Sequence, residues 1–163
     1  MQKRTAFKLC LAGATAVALN AAPVAVFAKD EPLKVAFVYV SPANEEGWSS
    51  QHDIARKFVE EKFGDKIKVT WIENIPENAD AQRVIRDLAQ QGNKIIFATS
   101  FGYMNSVMKV AKQFPNVYFE HATGYKTSKN VKNYTARFYE GRYLAGMLAA
   151  ATTKTNILGY VAA

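Results

Sequence analysis

The chain has 163 residues, of which 49% are hydrophobic and 21% charged, and its formal net charge is +7. This balance is typical of one globular domain and excludes a disordered or fibrous chain. Three of the cations, Lys3, Arg4 and Lys8, lie in the first eight residues. From residue 29 onward the chain carries 18 cations and 14 anions, a net +4 that is spread along its length, so we expect no nucleic-acid partner.

Residues 1–28 have the three parts of a secretory signal peptide, namely a basic start, the apolar run LCLAGATAVAL and a small-residue cleavage site. We expect cleavage after Ala28 and, in a Gram-negative cell, export to the periplasm. Cys10 is the single cysteine and lies within this signal, so the exported chain would contain no disulfide. Phe7 and Leu9 stand where a lipoprotein signal has a leucine and a small residue, and we therefore expect no lipid anchor.

The first two predicted elements follow directly after the signal. A continuous apolar run over 33–40 predicts a strand buried on both faces of a parallel sheet. The helical spacing of apolar residues over 54–63 predicts the first helix. Ser49 or Ser50 would cap its start, and Gly64 would end it.

Strands and helices continue to alternate after this helix. The second helix, Ala81 to Gln91, has Val84, Ile85 and Leu88 as its inner stripe, and Asp80 would cap it. The other predicted elements are, in chain order, a strand at 67–73, a strand at 94–100, a helix from Met104 to Gln113, a strand at 117–122, a short strand near 133–138, a helix at 140–153 and a strand at 156–163.

The last predicted helix has two notable features. Its small residues predict close packing of the helix on the sheet; they are Ala145, Gly146, Ala149 and Ala150. Near its start, Arg137, Glu140 and Arg142 form a charge cluster that we interpret as capping and local ion pairing.

Strands that alternate with helices of this length predict an α/β fold, a doubly wound parallel sheet flanked by helices. In such sheets the ligand site lies outside the carboxyl ends of the strands. The segments that would form it are 41–48, 98–104, 121–125 and the end of the strand near 137.

The motifs of several enzyme classes are missing from the sequence. No GxGxxG follows the first strand, and no P-loop or GxSxG motif occurs. A metal site from His52, His121 and Glu120 would need a convergence that their spacing does not suggest, because adjacent residues on a strand face opposite sides. We therefore expect no cofactor and no metal.

Aromatic residues are concentrated at the predicted loop ends, where their faces could stack on a planar ligand. They are Trp48, Phe101, Tyr103, Tyr125, Phe138 and Tyr139. Side chains that could supply hydrogen bonds lie in the same segments; they are Asn44, Ser49, Ser100, His121 and Thr123. The alternative is that about half of the aromatic residues simply cover the edge of the sheet.

Three long segments of the sequence read KVAFVYVSPANEEGWSSQHDIARK, ATSFGYMNSVMKVAKQFPNVYFEHATGYKT and ARFYEGRYLAGMLAAATTKTNILGYVAA. They resemble the basic membrane protein (BMP) family of substrate-binding proteins for ABC importers. The resemblance implies the type I periplasmic-binding fold, in which two doubly wound lobes close on a ligand, and a purine base such as adenine or a purine nucleoside as that ligand. It places ligand contacts at Asn44 to Ser50, Ser100, Phe101 and His121 to Thr123, with Phe138 to Glu140 near the cleft.

The sequence departs from this family in two ways. Ser50 stands where relatives often have an aromatic residue, so the stacking partner in this loop would be Trp48. The sequence given also ends at Ala163, about where the crossing to the second lobe should begin, so we expect 29–163 to be the N-terminal lobe of a truncated protein.

The resemblance implies an extracytoplasmic solute-binding component of an ABC importer that delivers its ligand to a membrane permease, and we expect that the protein is not an enzyme. The predicted ligand-binding residues are Asn44, Trp48, Ser49, Ser100, Phe101, Tyr103, His121, Thr123 and Phe138. Two alternatives remain open. One is an exported doubly wound enzyme acting on nucleosides or sugars, with His121 as its base; the other is a ligand-sensing module for a membrane receptor.

Overall fold

The computed structural model describes residues 31–161, and the predicted signal peptide and the last two residues lie outside the described residues. The strands are β1 (Leu33–Val38), β2 (Ile67–Ile72), β3 (Ile95–Ala98), β4 (Tyr118–Ala122) and β5 (Val131–Tyr134). The helices are α1 (Trp48–Phe63), α2 (Ala79–Gln90), α3 (Met104–Gln113) and α4 (Phe138–Thr152). The strand predicted at 156–163 is wrong for its described part, because residues 156–161 form no strand.

The five strands form one parallel sheet in the order β2-β1-β3-β4-β5. Strand β1 lies between β2 and β3, pairing Val35 with Val69 on one side and with Ile95 on the other. The chain therefore moves outward from β1 to β2 and then returns to build the other half of the sheet. This reversal makes the β1–β3 boundary the switch point at which doubly wound sheets bind ligands.

The larger part of the core lies between one face of the sheet and helices α2 and α3. Ala36 and Val38 of β1 and Ile96 and Ala98 of β3 contribute the sheet side. The predicted inner stripe of α2 is confirmed, since Val84, Ile85 and Leu88 are all buried there. Full burial of each large aliphatic side chain contributes about 1.5–3 kcal/mol to stability.

The opposite face of the sheet carries α1, which is held there mainly by polar groups. The Tyr39 hydroxyl donates to the Asp53 carboxylate at 3.4 Å, and Asp53 also accepts from Arg56 Nε at 2.6 Å. Ser49, Asp53 and Arg56 are the buried residues of this helix. Ile54 and Phe58 are 58% and 61% exposed, so the apolar spacing predicts the helix correctly but does not mark its inner face.

Two helix caps differ from the predictions. Gly47, which has no side chain to form a capping bond, is the N-cap of α1, and the Ser49 hydroxyl instead bonds to Ser41 at 2.8 Å. Asn78 caps α2 by accepting the Asp80 backbone N–H at 2.8 Å. The prediction that Gly64 ends α1 is confirmed by its φ of +52°, which favours a residue without a side chain.

Helix α4 does not pack on the sheet. None of its residues is buried, so the close packing predicted for Ala145, Gly146, Ala149 and Ala150 is wrong. Its apolar residues are exposed instead, including Leu144 and Leu148. Near the helix start, Arg137 and Glu140 form the predicted local ion pair at 3.3 Å.

Candidate functional site

Two cavities adjoin each other at the carboxyl ends of the strands. The first, which we name the carboxyl-end cavity, has a volume of about 720 Å³ and includes residues that follow β1, β3, β4 and β5; these are Val40, Ser100, Phe101, Thr123 and Thr135. The second, the sheet-face cavity, measures about 490 Å³ and lies between α1 and the β4–β5 half of the sheet. Trp48, Thr123, Thr135 and Phe138 line both, so these residues form a shared rim.

Trp48 is the first residue of α1 and is held in a defined position. Its indole N–H donates to the backbone carbonyl of Thr99 at 2.5 Å. Its ring lies 4.9 Å from the His52 ring and 5.7 Å from the Phe138 ring, measured between centroids. The side chain remains 38% exposed. A fixed and partly open indole at a cavity rim can stack on a planar ligand.

The segment after β3 contributes two residues to the carboxyl-end cavity. Ser100 and Phe101 both line it, and the Ser100 hydroxyl donates to Glu77. Tyr103, which the sequence also predicts as a ligand residue, is instead fully buried and donates its hydroxyl to the Ile75 carbonyl at 2.5 Å. Burial, together with the nearby Glu77 carboxylate, raises the pKa of Tyr103. Tyr103 therefore anchors the segment after β3 to the loop after β2 and does not line either cavity.

The end of β4 contributes one buried residue, and the residue that follows this strand lines the cavities. His121 is fully buried; its Nε2 lies 2.8 Å from the Ser100 carbonyl and its Nδ1 lies 3.3 Å from Asn133 Oδ1. Thr123 lines both cavities and has a φ of +61°. This left-handed conformation is costly for a β-branched residue, and its N–H is fixed by a 2.8 Å bond to the Tyr134 carbonyl.

The loop between β1 and α1 supplies fewer cavity residues than the sequence predicts. Asn44 is exposed and does not line either cavity. Ser49 is buried and accepts the Ser41 backbone N–H at 3.2 Å. Of the nine predicted ligand residues, the structure thus brings five to the cavities, namely Trp48, Ser100, Phe101, Thr123 and Phe138.

Sequence reasoning missed two charged residues of the carboxyl-end cavity, Glu77 and Arg142. Glu77 lies in the loop after β2, a strand whose carboxyl end was not among the predicted site segments. The rule that ligands bind at the carboxyl ends of parallel strands could have identified this loop. Arg142 belongs to the predicted charge cluster near the start of α4, and in the structure it lines the cavity.

The sheet-face cavity is mostly apolar. Ala55 of α1 and Ala122 and Tyr134 of the sheet line it. His52 also lines it, with Nδ1 2.9 Å from the Trp48 carbonyl. Burial raises the pKa of Tyr134, and Glu120 adds to this effect.

No group of side chains suited to hold a metal ion occurs within residues 31–161. Across this same part of the chain, none of the helices has the length and apolar character needed to cross a bilayer.

The described lobe is a doubly wound sheet with an aromatic rim near its switch point. The fold resembles the crystal structure of an ABC transporter solute-binding protein from Aeropyrum pernix K1, with a TM-score of 0.64 and 19% identity over 73% of this chain and 32% of that one. A family profile described as "ABC transporter substrate-binding protein PnrA-like" matches residues 33–163. The chain belongs to this family, the Bmp family.

Curated relatives are considerably longer than the present sequence. A purine-binding protein of Brucella abortus is 55% identical over 132 residues, which are 81% of this chain and 38% of the relative. A candidate glucose-binding protein of an ABC transporter from Haloferax volcanii is 41% identical over 133 residues, 82% of this chain and 34% of the relative. The chain therefore spans between a third and two fifths of the length of these two relatives.

Proposed function

We propose that the chain forms a lobe of an extracytoplasmic solute-binding protein that captures a purine base or nucleoside and delivers it to the permease of an ABC importer. The observation that carries the proposal is the position of Trp48. Its indole stands at the rim of the carboxyl-end cavity and is held by the Thr99 carbonyl. A pre-positioned ring of this kind binds a planar heterocycle without losing side-chain freedom.

The other lining groups fit a planar ligand with polar edges. Phe101 and Phe138 add apolar surface, while Thr123 and Thr135 add hydroxyls near the strand ends. The volume of about 720 Å³ lies within the range of roughly 300–1,000 Å³ that small-molecule sites have. The name of the 55%-identical relative, a purine-binding protein, supports a purine as the planar group.

The proposal also includes export of the protein and a second lobe that forms the other wall of the ligand site. Residues 1–28 have the pattern of a signal peptide, and residues 29–163 would then form the lobe. In a two-lobed binder, closure of the second lobe removes the ligand from water and creates the shape that a permease recognises.

The alternative of an exported enzyme requires an accessible base, and the sequence offers His121 for that role. His121 is fully buried, and both of its ring nitrogens lie within hydrogen-bond distance of protein oxygens. A general base must reach the proton that it removes, directly or through one water. The burial of His121 therefore favours the binding protein.

Calorimetric titration of the protein at its natural length with adenine, adenosine and glucose tests the proposed ligand class. We expect saturable binding of the purines and none of glucose. Loss of the gene should also lower uptake of radiolabelled adenine or adenosine by the cells. Binding of glucose without binding of either purine would contradict the proposal.

A further inference from the structure

Glu77 holds an unusual position in the carboxyl-end cavity. It belongs to the loop between β2 and α2, yet its carboxylate reaches the segment that follows β3. There its Oε1 accepts a hydrogen bond from the Ser100 hydroxyl and a second from the Gly102 backbone N–H at 2.9 Å. The carboxylate is thus held by two donors from a different part of the chain.

Gly102 is necessary for this arrangement. A Cβ atom at position 102 would lie 2.3 Å from Glu77 Cδ and 2.6 Å from each carboxylate oxygen. These distances are far below van der Waals contact, so any other residue would displace the carboxylate or the loop. The missing side chain at 102 is therefore what allows Glu77 to rest on the backbone here.

Both of these hydrogen bonds go to the same oxygen. Among the described residues, Oε2 of Glu77 has no hydrogen-bond donor and no ion-pair partner. Glu77 nevertheless lines the same cavity as Trp48 and Arg142. An ionised carboxylate only accepts hydrogen bonds, so a ligand group that meets Oε2 must be a donor.

We propose that Glu77 is a specificity-determining residue that accepts a hydrogen bond from an N–H or O–H group of the ligand stacked on Trp48. This inference rests on the proposed function. In a purine ligand the donor is the exocyclic amino group, a ring N–H or a ribose hydroxyl. All three groups are neutral hydrogen-bond donors that could bind the fixed carboxylate. A comparison of three ligands distinguishes them.

The test compares Glu77→Gln with the unsubstituted protein, both at natural length, by calorimetric titration with adenine, unsubstituted purine and adenosine. Glutamine retains an oxygen for the Gly102 N–H but replaces Oε2 by an NH₂ group, which opposes a ligand donor. We expect affinity to fall about tenfold to a hundredfold for ligands that present the donor, as for a lost charge-assisted hydrogen bond.

The pattern of losses identifies the donor. A loss for adenine and adenosine but not for purine assigns the amino group, which purine lacks. A loss for adenine and purine but not for adenosine assigns the ring N–H that the ribose replaces. A loss for adenosine alone assigns a ribose hydroxyl. Equal losses for all three ligands, or no loss for any, would overturn the inference, because a merely structural role would not distinguish the ligands.

Two further variants complete the design. Gly102→Ala leaves the carboxylate in the chain but displaces it, and it should reproduce the selective loss even if Glu77→Gln folds poorly. Glu61→Gln, an exposed position on α1, is the matched control and should leave all three affinities unchanged. If the unsubstituted protein binds none of the three ligands, the proposed function fails; if it binds them and neither variant discriminates among them, only the role of Glu77 fails.

Discussion

The indole N–H of Trp48 donates a hydrogen bond to the backbone carbonyl of Thr99 at 2.5 Å. Thr99 is itself fully buried, and its hydroxyl donates to the Val38 carbonyl at 2.8 Å. The start of α1 is thereby connected to the ends of β3 and β1, the two strands that form the switch point of the sheet. This connection fixes the ring that we propose as the stacking surface.

Replacement of Trp48 by alanine should weaken purine binding by about 1–3 kcal/mol, the usual contribution of a base stacked on an aromatic side chain. It should also lower the free energy of unfolding by about 0.5–1.5 kcal/mol, because the hydrogen bond to Thr99 is lost. Calorimetric titration and urea unfolding measure the two effects separately.

Trp48→Phe and Trp71→Ala are the controls for this prediction. Phenylalanine keeps an aromatic face but has no N–H, so it should retain more affinity than alanine. Trp71 is 43% exposed on β2, contacts Arg56 and lines neither cavity. Its replacement should therefore leave the purine affinity unchanged. Unaltered purine affinity in Trp48→Ala would remove Trp48 from the proposed site.

A second prediction concerns the buried polar contacts between α1 and the sheet. Arg56 is 4% exposed and pairs with Asp53 at 2.6 Å and with Glu60. Its guanidinium also lies 3.8 Å from the centre of the Trp71 ring. Arg56→Met would leave the Asp53 carboxylate buried with only Lys57 as a charged partner, so we expect a loss of roughly 3 kcal/mol or more in urea unfolding.

The matched control for this loss is Arg83→Met. Arg83 pairs with Asp80 at 3.4 Å, and both side chains are more than half exposed. Solvent-exposed pairs of this kind contribute between zero and about 1 kcal/mol. Equal stability losses in the two variants would show that burial does not strengthen the Arg56 pair.

The third prediction follows from the acid titration of Asp53. Burial acts to raise the pKa of this carboxyl, but the hydrogen bonds from Arg56 and Lys57 outweigh it and hold the pKa below its ordinary value of 3.8. A depressed pKa in the folded state stabilises the fold above pH 3.8, and this contribution disappears as the pH falls through the folded-state value. The stability difference between the unsubstituted protein and Asp53→Asn should therefore shrink below pH 3.8 in urea unfolding at stepped pH. A difference that stays constant down to the acid unfolding transition would contradict the depressed pKa.

Local patterns in the sequence predict most of the strands and helices, because they depend on short-range periodicity. The parallel sheet and the boundaries of α3, Met104–Gln113, follow from such patterns. Local patterns do not determine which face of a helix packs against the sheet. The inner face of α1 is set by Tyr39 bonding to Asp53, fourteen residues away, and no apolar period reveals such a contact. The predicted packing of α4 failed because small residues allow close approach without requiring it.

The candidate site could likewise be predicted in its location but not in the orientation of each side chain. Parallel-sheet topology locates the cavity at the strand ends, so Trp48, Ser100 and Thr123 could be identified from their positions alone. Whether a residue at a strand end points into the cavity or into the core depends on its partners. The His121 imidazole is fully buried and its Nε2 lies 2.8 Å from the Ser100 carbonyl, a contact that their spacing in the sequence does not predict.

The last prediction concerns Asn130, whose side chain is nearly buried just before β5. Its Nδ2 lies 3.1 Å, 3.1 Å and 2.9 Å from the carbonyl oxygens of Ala111, Phe114 and Val117. These carbonyls belong to the end of α3 and the turn that leads to β4, so the two hydrogens of one amide are shared among three backbone acceptors. Asn130→Ala should lower the free energy of unfolding by roughly 2–3 kcal/mol, because buried acceptors are left without donors.

Asn130→Asp provides a sharper form of the same test. At neutral pH its carboxylate would face three carbonyl oxygens without a proton to donate, so we expect a larger loss than for alanine. Part of that loss should be recovered on acidification, when the protonated carboxyl can donate. Asn116→Ala, at an exposed position of the same turn, should change stability by less than about 0.5 kcal/mol. If Asn130→Ala and Asn116→Ala unfold at the same urea concentration, the three carbonyl contacts do not stabilise this corner of the sheet.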